Sequence, residues 1–464
     1  MAANSPFESK STGPRQRGGG PGSGACRGIM LALTMFGTMA LPAAAAQEPA
    51  PSDMAAAPLR AGIRQVDPGS IDLTLDRGSV VKPQPALAIP GAALETACLE
   101  KSFPVSVSGA GGVTWHVCVT DMGKKALWVG PVYMKRSPTS PWVTVLYQAG
   151  LADIFVPYHG GIFRPYDLRF TSALSVVTQQ DAGNNGSPIS LAKGKPPTVV
   201  AEVRERGIAW LCKRGSINES RRGEEFVVWG VSDAGNYDNI IQFSFRDDGS
   251  MAFRAGHTGY NAANRLTEAH MHTSLWRVDM DLNGAAGDSA QVQIHREPVS
   301  QDLRQAADTE MPYNGGREGS LRWNPLQRTT VLVEDNATNP GGTHRMAYEF
   351  VHLSSGTARH YAPGEQWSQY DFHVTRFHPN ELDWITSGVN PSGYLPAHLA
   401  DHESVQNQDI VVWMQTSAHH QPTDEDNSAD GGRGVTLVHW SGFNIEPHNL
   451  FAANPLGGPP ACGE

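Results

Sequence analysis

The stretch from Glu225 to Gly249 decides the fold class. It reads Glu225-Phe226-Val227-Val228-Trp229-Gly230-Val231, then a polar segment holding Gly235-Asn236-Tyr237-Asp238-Asn239, then Ile240-Ile241-Gln242-Phe243-Ser244-Phe245-Arg246, and closes on Asp247-Asp248-Gly249. Two runs rich in β-branched and aromatic residues, each bounded by turn formers, read as strands, and Asp-Asp-Gly reads as a hairpin turn. The same pattern recurs at Trp142–Leu146, Ile154–Tyr158 and Ile410–Gln415, with Asn283-Gly284 as a second hairpin signal. Stretches of 3.6-residue period are hard to find. The expected fold is mostly β, a large antiparallel sandwich of two sheets over residues 101–464.

Residues 47–100, rich in Ala, Pro and Gly, read as a leader or linker. Residues 1–46 read as an export signal. They offer a basic start with Lys10, Arg15, Arg17 and Arg27, a mostly apolar run from Ile29 to Leu41, and small residues at Ala43 to Ala46. That run is too short to span a bilayer, and no later stretch is long enough, so no membrane span is expected. The expected location is periplasmic or secreted. The 464 residues include 36 Lys plus Arg and 46 Asp plus Glu, a net charge of −10. The first 46 hold 4 basic and 1 acidic side chain, so 32 basic and 45 acidic remain in the mature chain, a net −13. Such acidity excludes nucleic acid as the expected partner, because phosphate binding needs a basic face. An apolar fraction of 40 % is ample for a core. Cys98, Cys118, Cys212 and Cys462 follow the signal, an even number that suits disulfides in an oxidising compartment and leaves three connectivities open. No CxxC is present, which argues against a thiolate metal site.

The chemistry begins at His270-Met271-His272. On a strand, residues i and i+2 project from one face, so both imidazoles can reach one metal ion. Taken alone, two surface histidines would explain the pair equally well. Asp279-Met280-Asp281 repeats the spacing with oxygen ligands, and an unbroken strand would turn the two pairs to opposite faces. Carboxylates and carbonyls suit Ca²⁺, whereas imidazoles suit Cu or Zn. A third imidazole is offered by His419-His420-Gln421-Pro422, after Asp409-Ile410-Val411-Val412. Adjacent strand residues point oppositely, so one of the two histidines can join the site. Three imidazoles with an open position make a centre able to meet water or O₂. A tyrosine held beside such a centre is an oxidisable phenol, and Tyr237 is the candidate.

These residues, in this order, resemble the catalytic domain of the copper-containing, topaquinone-dependent amine oxidases over roughly residues 105 to 455. Gly235-Asn236-Tyr237-Asp238 resembles the family's quinone-precursor motif, which implies a topaquinone derived from Tyr237 with Asn236 beside it. His270, His272 and, through His420-Gln421-Pro422 with Glu425-Asp426, His420 rather than His419 resemble the copper ligands. Asp279, the Met280 carbonyl, Asp281, Asp409 and the Ile410 carbonyl fall where the family holds a second cation, here read as Ca²⁺. Phe155-Val156-Pro157-Tyr158 is similar to the Val-Pro-Tyr segment, which implies that Tyr158 hydrogen-bonds the quinone. There are departures. Asp233 stands where the family usually carries Ser or Thr, and residues 47–100 leave no room for its two small N-terminal domains. The loop bearing the base is shortened. Asp167, in Arg164-Pro165-Tyr166-Asp167, is favoured as the base, with Asp181, in Asp181-Ala182-Gly183, as the alternative.

The resemblance implies oxidative deamination of a primary amine. The amine condenses with the quinone carbonyl, a buried carboxylate takes the proton α to nitrogen, and O₂ reoxidises the centre, giving aldehyde, ammonia and hydrogen peroxide. It also implies a homodimer. A cupin-like site would want Glu a few residues after the second histidine, and Thr273-Ser274-Leu275-Trp276 stand there instead. The remaining alternative is a non-catalytic copper-binding protein of the same fold.

Overall fold

The computed structural model describes residues 62–67, 95–104, 112–161, 163–164, 167–170, 173–262, 265–296, 307–324, 327–353, 359, 365–378, 395–428 and 432–458. The segment read as an export signal lies outside the described residues, as does Cys462. The described strands are, in chain order, β1 (Ile63–Val66), β2 (Glu95–Ser102), β3 (Thr114–Asp121), β4 (Leu127–Lys135), β5 (Trp142–Pro157), β6 (Phe163–Arg164), β7 (Gly186–Ile189), β8 (Val199–Arg214), β9 (Ile217–Asp233) and β10 (Tyr237–Arg246). They continue with β11 (Met251–Gly259), β12 (His270–Met280), β13 (Asp288–Arg296), β14 (Ala307–Pro312), β15 (Gly319–Leu321), β16 (Thr330–Thr338), β17 (Arg345–Leu353), β18 (Phe372–Arg376), β19 (Ile410–His420) and β20 (Thr436–His448). Two sheets result, in the orders β1-β2-β3-β4-β5-β12-β19-β18-β15, with β6 on β5, and β14-β13-β16-β17-β20-β11-β10-β9-β8-β7. The ladders between these strands are antiparallel, as expected for a chain of short β-runs.

Why the middle of the first sheet reads as near-continuous apolar runs follows from its burial. From β12, Trp276, Val278 and Met280 enter the core between the sheets, with Phe243 and Phe253 among their neighbours there. Leu275, on the other face, joins Phe155 and Trp413 in a second apolar layer with Trp367 and Leu395. Strands covered on both sides lose the polar alternation of a half-exposed strand. Among the described residues no helix is long and apolar enough to cross a membrane.

Three sequence expectations need correction. The segment 47–100 is not only a leader, because β1 and β2 pair with one another and continue the first sheet onto β3. Cys98 lies directly opposite Cys118 in that ladder, and the two are disulfide-bonded. Trp142–Leu146 and Ile154–Tyr158 belong to one strand, β5, apart from Tyr158. Asp247-Asp248-Gly249 does close the β10–β11 hairpin, with the Arg246 N–H on the Ser250 carbonyl. Asn283-Gly284 forms a turn, but the turn passes the chain from β12 in one sheet to β13 in the other. Turn residues fix local dihedrals and leave the partner strand to burial.

Candidate active site

The site lies between the sheets, where β12 and β19 of the first face β10, β11 and β20 of the second. In the β12–β19 ladder His270 is opposite His420, and His272 is opposite Ala418. The period of two then puts His270, His272 and His420 on one face, with nitrogens of the three rings within 4.8 Å of one another. All three are buried, whereas His419 points the other way and is exposed. The outer nitrogens are engaged: His270 Nδ1 lies 3.0 Å from the Glu268 carbonyl and His420 Nε2 lies 3.0 Å from Asp426 Oδ2. Those acceptors hold protons on the outer nitrogens, so His270 Nε2 and His420 Nδ1 turn lone pairs toward each other at 3.2 Å. His272 Nε2 has no hydrogen-bond partner among the described residues. Burial holds the pKa of His270 down to about 4, with neighbouring imidazoles adding to the shift, and lowers that of His272 well below its ordinary value. Three imidazoles with converging ring nitrogens fit a borderline cation such as Cu²⁺.

Tyr237 stands against this cluster. Its phenol is 2.8 Å from His270 Nε2 and donates to Asn261 Oδ1 at 3.1 Å, and its ring meets His272 edge-on at 4.6 Å. Burial drives the phenol pKa well up. The turn before it is built locally. Gly235 has φ +91°, in the left-handed region that glycine adopts without strain, and the Asp233 carboxylate accepts its N–H at 2.6 Å. The acid at position 233 therefore has a local use. Gly259 of β11 is equally required, because a Cβ there would sit 2.4 Å from the Asn236 carbonyl.

Tyr158 bridges to His270 just beyond β5 and stacks on its ring at 4.6 Å. Asp167 opens a 3₁₀ turn, Asp167–Phe170, is buried, and receives the Arg164 guanidinium at 2.6 Å. Asp181 is elsewhere and exposed, its carboxylate closing a capping box with Thr178 on a short helix, Gln179–Ala182. Its alternation with Asp167 is thus a contrast between a helix cap and a buried carboxylate near Tyr158 and Tyr237.

On the opposite face of β12, carboxylate oxygens of Asp279, Asp281 and Asp409 lie within 4.8 Å of one another. Met280 is register partner of Ile410, which brings both main chains to the cluster. Arg277 donates to Asp279 at 2.9 Å, both side chains being fully buried. Glu318, His378 and Glu403 form a further cluster that sequence reading missed.

Sequence reading also missed the second sheet's contribution. Asn239, His257 and His439 are successive register partners across β10, β11 and β20. His257 stacks on His272 at 4.5 Å with its Nδ1 on Asn239 Oδ1 at 2.8 Å, and His439 stacks on His420 at 4.2 Å. Only strand register could have disclosed them.

Comparison with known proteins points to one family. The family model "Copper amine oxidase, enzyme domain" matches residues 204–460. The copper-containing diamine oxidase of Sus scrofa is 26% identical over 271 residues, 50% of this chain and 35% of that protein. The primary amine oxidase of Klebsiella aerogenes is 23% identical over 374 residues, 68% of this chain and 48% of that protein. The crystal structure of a copper-containing benzylamine oxidase from Hansenula polymorpha superposes with a TM-score of 0.59 at 17% identity, covering 76% of this chain and 62% of that one. The chain thus spans about a third to a half of the length of these curated relatives. It belongs to the copper amine oxidase family, through its enzyme domain.

Proposed function

We propose that this protein oxidises primary amines with O₂ and water to aldehyde, ammonia and hydrogen peroxide, using copper and a quinone made from Tyr237. The observation that carries the reading is the buried Tyr237 phenol 2.8 Å from His270 within a cluster of three convergent imidazoles. His270, His272 and His420 would hold copper. Copper and the quinone supply the redox chemistry, passing two electrons from the amine to O₂.

The chain's own residues do the rest. Asp167 is the proton acceptor for the carbon α to nitrogen, supported by its burial and by its place near Tyr158 and Tyr237. Tyr158, stacked on His270 beside Tyr237, would orient the reacting ring by its hydroxyl. Asn236 anchors the chain before Tyr237 by donating to the Tyr260 carbonyl at 2.7 Å. Three carboxylates within 4.8 Å repel one another, so a hard cation such as Ca²⁺ fits among Asp279, Asp281, Asp409 and the carbonyls of Met280 and Ile410. Export to an oxidising compartment is supported by the Cys98–Cys118 disulfide. A homodimer is supported by family membership and by the exposed Ile208 and Leu211 near the tip of the β8–β9 hairpin.

The test begins with metal-free protein exposed to Cu²⁺ and air. A new visible band and a phenylhydrazine adduct on Tyr237 are expected, and Tyr237→Phe should bind copper but give neither. Asp167→Asn should still form the quinone while turnover falls by about 10²–10⁴, the usual cost of losing a general base. Asp181→Asn should leave turnover intact. Copper uptake without a band in the unaltered protein would favour the non-catalytic alternative.

A further inference from the structure

We propose that Arg164 is a positioning residue that clamps the Ala234–Asn236 turn, and with it the Tyr237 ring, to the carboxylate of Asp167. The inference deepens the reading above and rests on its assignment of Tyr237 and Asp167.

One guanidinium meets three groups from two segments. Nη1 donates to Asn236 Oδ1 at 2.5 Å, and Nη2 donates to the Ala234 carbonyl at 3.4 Å and forms an ion pair with Asp167 Oδ1 at 2.6 Å. The Asn236 amide is therefore held at both ends, its oxygen by Arg164 and its nitrogen on the Tyr260 carbonyl. This matters because the turn pivots on Gly235, whose φ of +91° marks the residue with the widest conformational freedom in the segment. Arg164 itself is fixed by β6, where it pairs with Val156 of β5, the strand that leads into Tyr158. A rigid planar fork suits this task better than a single ammonium, which can satisfy one of these acceptors well but not all.

The clamp has an electrostatic side. The Asp167 side chain is 2 % exposed and that of Arg164 21 %, so their attraction is only partly screened. A guanidinium beside a carboxylate favours the ionised form, which is the form able to take a proton. The other titratable and charged groups around this pair are Tyr158, with the Arg265 guanidinium 5.5 Å over its ring, and Tyr237, with Asp153 of β5 beyond them and Glu365 and Lys125 beside Asp153.

Two variants test it, Arg164→Met and Arg164→Lys. In metal-free protein, hydrogen exchange of peptides covering 233–237 should accelerate at least tenfold in Arg164→Met and by less in Arg164→Lys. In copper-treated protein, the acid limb of kcat/KM should move upward by a pH unit or more in Arg164→Met, and stay in place in Arg164→Lys, which keeps the charge. Unchanged exchange in both variants overturns the clamp. An acid limb that moves equally in both variants, or in neither, overturns the electrostatic half. If the unaltered protein forms no quinone, the proposed function fails, while the exchange measurement still judges the clamp by itself.

Discussion

Toward one end of β12, His270 and His272 turn into the space between the sheets, where Trp276 and Val278 also point; toward the other end, Asp279 turns to the opposite face, where Arg277 and Leu275 lie. One strand and one period of two therefore make both candidate ion sites. They differ in how charge is managed. Imidazole binds a metal ion as a neutral donor, and each of His270 and His420 is oriented by an oxygen acceptor on its far nitrogen. The aspartates bring charge into a buried place, and one of them is met by a guanidinium. A neutral, oriented set can lose its ion and remain folded. A crowded anionic set depends on its cation for stability. Chemistry is thus expected from the first site and structural support from the second.

The sharpest way to break this contrast is at the third imidazole. His420→Ala should abolish copper retention and quinone formation. His419→Ala should spare both, since that side chain is exposed on the other face. Asp426→Asn, which alters the acceptor behind His420 and the cap on the Thr423 N–H, should weaken copper binding by about 10–100-fold. Metal content by mass spectrometry separates the three, and copper loss in His419→Ala alone would reverse the ligand assignment.

How far the sequence carried this picture depends on the range of the interaction. The i, i+2 pairs at His270/His272 and Asp279/Asp281 were legible, because side-chain direction along a strand is local. So was the exclusion of one of His419 and His420, whereas choosing between them required family motifs. The strands within 47–100 escaped notice because Glu95–Ser102 is built from Ala, Glu and Lys as much as from β-formers, and Ile63 is the one buried apolar residue of β1. His257 and His439 reach the site from another sheet, and Asn261 from just past the end of β11, so no local spacing announces them. Arg164 was visible only as part of a shortened loop; its three contacts come from the antiparallel return of β6 onto β5.

A smaller effect is expected at the carboxylates. Removing one member of a buried charged cluster typically costs about 3–5 kcal/mol. Asp281→Ala should therefore lower the thermal midpoint by several degrees, and stripping the cation with a Ca²⁺ chelator should do the same in the unaltered protein. Neither should erase the spectrum of a quinone already formed. Calorimetry with and without chelator reads the shift, and an unmoved midpoint in both experiments would remove the structural cation from the account.

The smallest effect sharpens the comparison by asking what buried imidazoles do where no metal is expected. His373 of β18 is fully buried, with Nε2 at 3.0 Å from the Trp367 carbonyl and Nδ1 at 2.7 Å from Ser320 Oγ. A neutral ring satisfies both by donating from Nε2 and accepting at Nδ1; a second proton would turn the Ser320 hydroxyl into the acceptor but leave a charge buried away from water. Burial accordingly holds its pKa down to about 4, well under the ordinary 6.5. The sign follows directly: between those values the unfolded chain binds the proton and the folded one does not, so stability is full above 6.5 and falls as pH drops toward 4. The slope is at most about 1.4 kcal/mol per pH unit for this one group. Urea unfolding from pH 7 to pH 4.5 should show a shallower decline in His373→Gln than in the parent chain. If the two declines coincide, His373 is not one of the groups that set the acid limit, and the neutral ring has to be sought at His116, which burial also holds near 4.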